Sequence, residues 1–387
     1  YYSISGNNTF FGSELSSLAS CSNILSYNFD EHSIVSYLNF DYIPKDKTIL
    51  SDIKKVLPGQ FIKIQKNKIK KDFYYKVNLN HKININKYEA INQLDSLLNK
   101  SVKERLVADV PVGIFLSGGI DSSLIAYYAK KLNNRIKSFT IKMNNDSYDE
   151  SSYAQLVAEH LGIENKVAQF DNNAIIQSLD VIEKKLDEPL SDPSILPTFL
   201  LSKFAKQEVK VALSGDGADE LFCGYAPFKS INYLWLLSHI PKIIGTKIAS
   251  FTEKVHSKDK YMSYHFLLKH VSRGFGWPSY QQVFRWMSPL SDKNITTLLN
   301  KDFIPAYDTE KTWNNFLYNQ ENKLLKLPDL LSKLFIDFYL PNDILTKVDR
   351  ASMYNGLEVR SPFLSKSILK FSQTLPNEYK LSNNQTK

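Results

Sequence analysis

The chain has 387 residues, room for a full core and for about two domains. Hydrophobic residues make up 43% and charged residues 23%, an ordinary composition for a soluble globular protein. The net charge of +8 comes from 48 basic against 40 acidic residues with the lysines scattered, so charge alone points to no nucleic-acid surface.

The one compact basic run, residues 66–71, alternates like the edge of a hairpin and reads as a solvated face. Cys21 and Cys223 are far apart and offer no metal spacing; a disulfide framework is not expected, which fits a reducing cytoplasm. The opening residues carry no signal-peptide pattern. The apolar stretch 231–255 is broken by His239, Pro241, Lys242 and Lys247, short of the roughly 20 continuous residues that a membrane span needs.

In chain order, Tyr1 to Ile4 and Thr9 to Phe11 flank a Gly6-Asn7-Asn8 turn and predict a hairpin. An amphipathic helix is expected over 31–39. Pro58-Gly59 turns into a second hairpin, 60–64 against 69–75. Residues 76–86 form an Asn- and Lys-rich linker. Ala90, Ile91, Leu94, Leu97, Leu98 and Val102 then fall at helical spacing over 87–107. The apolar run 112–116 reads as a buried strand of a parallel sheet. It breaks at Ser117-Gly118-Gly119 and restarts as a helix with Leu124, Ile125, Tyr128, Ala129 and Leu132 on one face. Strands at 135–143, 166–170 and 209–213 alternate with helices at 148–161, 172–186 and 194–207. That alternation predicts an α/β, doubly wound parallel sheet with right-handed crossovers. Aromatic-rich helices beyond about residue 225 are expected to pack over one end of it.

Two loops carry the chemistry. At 117–121, paired glycines between strand and helix let backbone N–H groups face an anion, the helix dipole adds to this, and Asp121 can hold a cation against the anion. No Gly-Lys-Ser/Thr follows, so this is no P-loop. The strand ending at Leu213 should present Ser214-Gly-Asp-Gly-Ala-Asp-Glu220 on the same sheet edge, since open α/β sheets bind ligands beyond their strands' carboxyl ends. The carboxylates at 216, 219 and 220 repel one another unless a cation or proton intervenes. With Asp121 they make an oxygen-ligand site suited to Mg²⁺. Taken alone, each loop leaves a plain reading open, the first as a glycine turn between strand and helix and the second as an N-capped helix start; facing each other, they favour the phosphate reading.

The string Ser117-Gly-Gly-Ile-Asp-Ser-Ser123, after a five-residue apolar strand, resembles the signature of the ATP-pyrophosphatase family. Within that family it is similar to the synthetase domain of glutamine-dependent asparagine synthetases. The resemblance implies an adenine nucleotide alpha-hydrolase-like fold and cleavage of ATP between its α and β phosphates. It makes Ser117, Gly118, Gly119, Asp121, Ser122 and Ser123 a pyrophosphate cradle, with Ser214 and Gly215 contacting ATP. Asp121 and Asp219 would bind Mg²⁺, Asp216 would assist acyl-adenylate formation, and adenine would lie near Phe115 and Ile141. The best-known members carry Glu where this chain has Asp216, one methylene shorter, which leaves the acceptor open. Cys223 stands where the family often has Gly and reads as a packing residue.

Phe11-Gly-Ser-Glu-Leu-Ser-Ser-Leu18 and Leu57-Pro-Gly-Gln-Phe61 resemble the last part of a class II glutamine amidotransferase domain. The expected division is therefore a partial β-rich α+β glutaminase domain at 1–75 and a synthetase domain at 76–387. The family's N-terminal nucleophilic cysteine and its late lysine loop have no match here, so the chain is expected to be truncated; Cys21 is not a substitute nucleophile. Residues 186–194, an acidic proline-bounded loop, read equally as an acceptor-pocket rim or a helix cap. Lys347, Asp349, Arg350, Glu358 and Arg360 match the family's late helical segment, where internal ion pairing is favoured slightly over substrate contact.

The implied chemistry is glutamine-dependent, ATP-dependent amidation of a carboxylate, foremost aspartate to asparagine. The alternatives are a uronic-acid sugar or peptide carboxylate as acceptor, a non-catalytic nucleotide-binding protein, and an ATP-pyrophosphatase acting on nucleotides or tRNA. The last lacks an aromatic-basic surface to support it. ATP and Mg²⁺ are the expected cofactors. Expected partners are glutamine, ATP and the carboxylate, with no nucleic acid and no membrane, and with a homodimer left open.

Overall fold

The computed structural model describes residues 1–6, 8–20, 28–65, 68–145, 147–254, 264–299 and 325–381. Expectations resting on Asn7, Cys21 and Lys66, and on the residues after 381, lie outside them. The chain packs as two compact units.

The second unit, made of Leu79–Lys185, Asp192–Lys229 and Ile344–Lys387, is built on a five-stranded sheet. Its strands lie in the order Glu164–Gln169, Lys137–Lys142, Val112–Phe115, Val211–Leu213, Glu358–Arg360, and every neighbouring pair is parallel. The winding reverses between Val112–Phe115 and Val211–Leu213, where Ile114 pairs in register with Leu213. Such a switch point opens a crevice between the two loops that leave those strands. Both strands are short and apolar because they are covered on both faces: Ile114, Ala212 and Leu213 are fully buried.

One face is closed by Phe139, Ala205, Val209, Ala212 and Leu357, with the Phe139 ring edge-on to Phe204 at 5.9 Å. Burying a phenylalanine side chain in this way contributes about 1.5–3 kcal/mol. The helix Lys87–Arg105 starts at a capping box in which Asn86 accepts from the Glu89 N–H, and it ends with Lys103 and Arg105 against its negative pole. Its Ala90, with Leu94 and Leu97 packed alongside, joins Phe371 and Leu375 in a second cluster.

The sequence reading placed residues 357–363 in a helical segment, but Glu358–Arg360 is the edge strand of the sheet. A strand of three residues has too little alternation to be legible. The strands at 135–143 and 166–170 settle at Lys137–Lys142 and Glu164–Gln169, and the helix expected from Tyr148 begins at Ser151 and stops at Gly162.

The first unit, Tyr1–Asn78 with Leu186–Ser191 and Ser230–Asp343, contains both expected hairpins. Tyr2–Ser5 pairs antiparallel with Asn8–Phe11, and Gln60–Gln65 with Lys68–Phe73. The helix Glu31–Phe40 is capped by Asp30, which accepts from Ser33 N and pairs with Lys47 at 3.0 Å. Glu188 accepts from the Tyr1 hydroxyl and pairs with Lys55 at 3.2 Å. The helices from Ile231 to Leu334 belong to this unit, whereas Leu345–Met353 and Lys366–Thr374 pack in the second. Pro341 interrupts the regular hydrogen-bond ladder within a π-helical stretch, Phe335–Ile344. Among the described residues no helix is long and apolar enough to cross a membrane.

Candidate functional site

A cavity of about 520 Å³ lies within the second unit, at the switch point of the sheet. That size suits a drug-sized or nucleotide-sized ligand. Its walls come from the two loops that follow Val112–Phe115 and Val211–Leu213, from the end of Lys137–Lys142, and from the helices Ile195–Ala205 and Leu345–Met353.

The first loop is shaped by its serines. Ser122 Oγ accepts from Ser117 N at 3.2 Å and donates to Gly119 O, while Ser117 Oγ accepts from Gly119 N. This knot turns the chain into the helix Ile120–Leu132, whose N-cap is Gly119 and whose first turn carries Asp121. Gly118 has φ +82°, and a Cβ there would stand 2.5 Å from the Tyr153 carbonyl carbon and the Ala154 nitrogen. Only glycine fits both demands. The helix start, with Gly119, Asp121 and Ser122, thus stands on the cavity wall, where a helix's positive pole favours an anion.

The second loop is tied to the edge strand, with Ser214 N donating to Arg360 O and Ser214 Oγ 3.2 Å from Ser361 Oγ. It leads into the short helix Ala218–Phe222 through Gly217. Cys223 follows at φ +57°, a left-handed position where glycine is the usual occupant, and its side chain is buried.

Of the residues singled out from the sequence, Phe115, Ser117, Gly119, Asp121, Ser122, Ile141, Ser214, Gly215, Asp216 and Asp219 line this one cavity. Gly118 and Ser123 do not. Gly118 packs behind it, and Ser123 Oγ is a buried hydroxyl without a hydrogen-bond partner. Burial pushes the Asp216 carboxyl up, with Asp219 adding to the rise, while the Ser214 hydroxyl and Lys347 pull the other way. Burial also raises Glu220, to about 7, even though Tyr225 donates to it at 2.5 Å.

Among the described residues no group of three or more His, Cys, Asp or Glu could hold a metal by itself. Mg²⁺ keeps waters and takes phosphate oxygens alongside one or two carboxylates. Asp121 and Asp219, both on the cavity wall, therefore fit a metal that arrives with a triphosphate.

Sequence reasoning missed three parts of the wall. Tyr148 and Glu150 were read only as a helix start, yet they line the cavity. Glu220 was counted as one of three clustered acids, without a sign that it would be the most buried of them. Lys347 was assigned to an ion-pair network distributed over the late helices. It is held by Asp192 Oδ2 at 2.9 Å and Ser194 Oγ at 2.8 Å, whereas Arg360 pairs with Glu358 and donates to the carbonyls of Arg105 and Val107. Asp192 also accepts from Ser194 N and Oγ. The acidic loop thus contributes its last residues to holding a cavity residue, a link between positions 155 apart in sequence that no local pattern reveals.

Sheet order, cavity and paired glycine loops define an α/β protein of the doubly wound class with a candidate site at its switch point. The profile of asparagine synthase matches residues 93–387, and the chain belongs to that family. Residues 1–75 match the profile of a glutamine amidotransferase domain. The chain is 29% identical over 398 residues to glutamine-hydrolyzing asparagine synthetase 1 of Bacillus subtilis, covering 100% of this chain and 59% of that protein. It is 25% identical over 403 residues to asparagine synthetase 3 of the same organism, again covering 100% and 59%. It is also 25% identical over 365 residues to amidase chyE of Penicillium rubens, covering 87% of this chain and 54% of that protein. The chain therefore spans between half and two thirds of the length of these relatives.

Proposed function

We propose that the chain is the main part of a ligase that amidates a carboxylate, using ATP for activation and glutamine as the nitrogen source, with aspartate as the acceptor. The observation that carries this reading is the convergence of two glycine loops and the carboxylates Asp121, Asp216 and Asp219 on one cavity at the switch point. In this reading residues 1–75 are the end of a glutaminase domain and 76–387 a synthetase domain, working in the cytoplasm.

A carboxylate is a poor electrophile, and an acyl-adenylate is a good one. The acceptor carboxylate attacks the α-phosphorus of ATP, the bond from that phosphorus to the bridging oxygen breaks, and pyrophosphate leaves with the electron pair. The 117–123 loop, through its N–H groups and helix pole, holds the departing phosphates. Asp121 and Asp219 would hold Mg²⁺, which supplies neutralisation of phosphate charge when bound. Ser214 and Gly215 keep the nucleotide in place, adenine lies near Phe115 and Ile141, and Asp216 assists formation of the acyl-adenylate. Ammonia then attacks the activated carbonyl carbon, AMP leaves, and a proton lost from the nitrogen gives the neutral amide. The protein's share is orientation and charge compensation.

A second reading keeps the chemistry and changes the acceptor to a uronic-acid sugar or a peptide carboxylate. The shorter Asp216 favours it, and relatives named as amidases fit it. A screen of acceptors for AMP release, with ammonium as nitrogen donor, separates the two. Release that depends on aspartate supports the first reading, and release that depends on a uronate or peptide but not on aspartate overturns it.

A further inference from the structure

Five carboxylates line the cavity, those of Asp121, Glu150, Asp216, Asp219 and Glu220. Among the described lining residues Lys347 is the only cationic side chain. A site that must bring an acceptor carboxylate up to a polyphosphate, beside this much negative charge, needs fixed positive charge where the carboxylate sits. The glycine loop, the helix pole and the Asp121 and Asp219 pair serve the phosphates. None of these explains what receives the carboxylate.

Lys347 has the attributes that task requires. It is 8% exposed, so its charge is little screened by water. Asp192 and Ser194 engage two of the three N–H donors of an ammonium group and fix its direction. Its influence reaches Asp216. The helices that carry Lys347 and follow Ser194, Leu345–Met353 and Ile195–Ala205, also give Val348, Pro197, Thr198 and Leu201 to the same wall. An ion pair serving only to dock helices has no need to stand on the wall of a large cavity.

We infer that Lys347 is the residue that binds the acceptor's carboxylate in the adenylation site, and that Asp192 and Ser194 are positioning residues that aim its remaining N–H donor. This rests on the proposed amidation and deepens it. Every candidate acceptor shares a carboxylate, so the anchor serves whichever acceptor is native. In this role Lys347 offsets the repulsion between carboxylate and phosphate, and no proton passes through it.

The test is calorimetric titration of the chain with L-aspartate, succinate and D-glucuronate as carboxylate probes, with and without saturating α,β-methylene-ATP and Mg²⁺. The wild-type chain is expected to bind at least one probe. Lys347→Met should weaken that binding at least tenfold while the nucleotide analogue binds within about threefold of wild type. Lys347→Arg, which keeps the charge, should recover much of the loss. Asp192→Asn should weaken carboxylate binding by less than Lys347→Met and leave the nucleotide unaffected, a split that a merely structural role would not produce. Equal carboxylate affinity in a folded Lys347→Met chain overturns the assignment, as does a wild-type chain that binds none of the three probes. Carboxylate binding that requires Lys347 in a chain that fails to bind the nucleotide would sustain the assignment while defeating the proposed amidation.

Discussion

Gly215 lies so close to Asp121 that a Cβ built on it would stand 3.1 Å from the Asp121 Cβ and 3.1 Å from the Ser122 nitrogen. The two loops at the switch point therefore touch, and their spacing on this side of the cavity is set by the absence of a side chain. Gly215→Val should force them apart, at a cost of about 1–3 kcal/mol for overpacking. We expect at least a tenfold fall in affinity for a nonhydrolysable ATP analogue, read by calorimetry, with a smaller fall for Gly215→Ala. Unchanged affinity in the valine variant would show that the loops do not act together.

Gly118 is constrained twice, by its φ of +82° and by the backbone at Tyr153 and Ala154. Gly118→Ala should lower the unfolding free energy by about 2 kcal/mol or more, since left-handed strain and a backbone clash add. Chemical denaturation checks this. A shift of the midpoint too small to measure would mean that the helix Ser151–Leu161 gives way easily.

Glu220 carries the clearest pH signature. Burial, above all, pushes its pKa up to about 7 from an ordinary value of 4.5. The folded state holds a proton between these values that the unfolded chain has released, so stability falls as pH rises from about 4.5 to about 7. Glu220→Gln stays neutral throughout. Measured in a chelator, its stability relative to wild type should rise across that window by roughly 3 kcal/mol. A difference that stays flat with pH would remove the buried-carboxylate account.

Asp192 should behave in the opposite sense. Burial opposes its charge, but Lys347 and the Ser194 hydrogen bonds hold its carboxyl below the usual range. Its contribution is complete above the unfolded pKa and is lost as pH falls through the depressed folded value. Asp192→Asn should therefore destabilise at neutral pH and flatten the acid limb of the stability profile. An unchanged acid limb would mean that the Lys347 pair is not formed in solution.

The centre of the sheet was legible because Val112–Phe115 and Val211–Leu213 are apolar strands that end in glycine loops, a pattern strong enough to mark both strands and the edge on which ligands collect. Ser117, Gly119 and Asp121 and the loop from Ser214 to Asp219 were legible because chemistry and turn geometry coincide within a few positions, whereas Phe115, Ser122 and Ile141 were marked by the family resemblance alone. Glu358–Arg360 was not, because a three-residue edge strand leaves almost no periodicity. The pairing of Lys347 with Asp192 was hidden by sequence distance, and the burial of Glu220 by the cluster of acids around it, since neighbours in sequence reveal nothing of desolvation. These unread features are tertiary effects, created by helices that bring distant segments to one wall.

The most direct test of the central claim is exchange of labelled pyrophosphate into ATP by the chain in the presence of aspartate and Mg²⁺, with Asp121→Asn as the control. Exchange that requires aspartate and disappears in the variant is the predicted result. A folded chain that binds ATP with Mg²⁺ yet shows no exchange with aspartate or any other carboxylate would contradict the account.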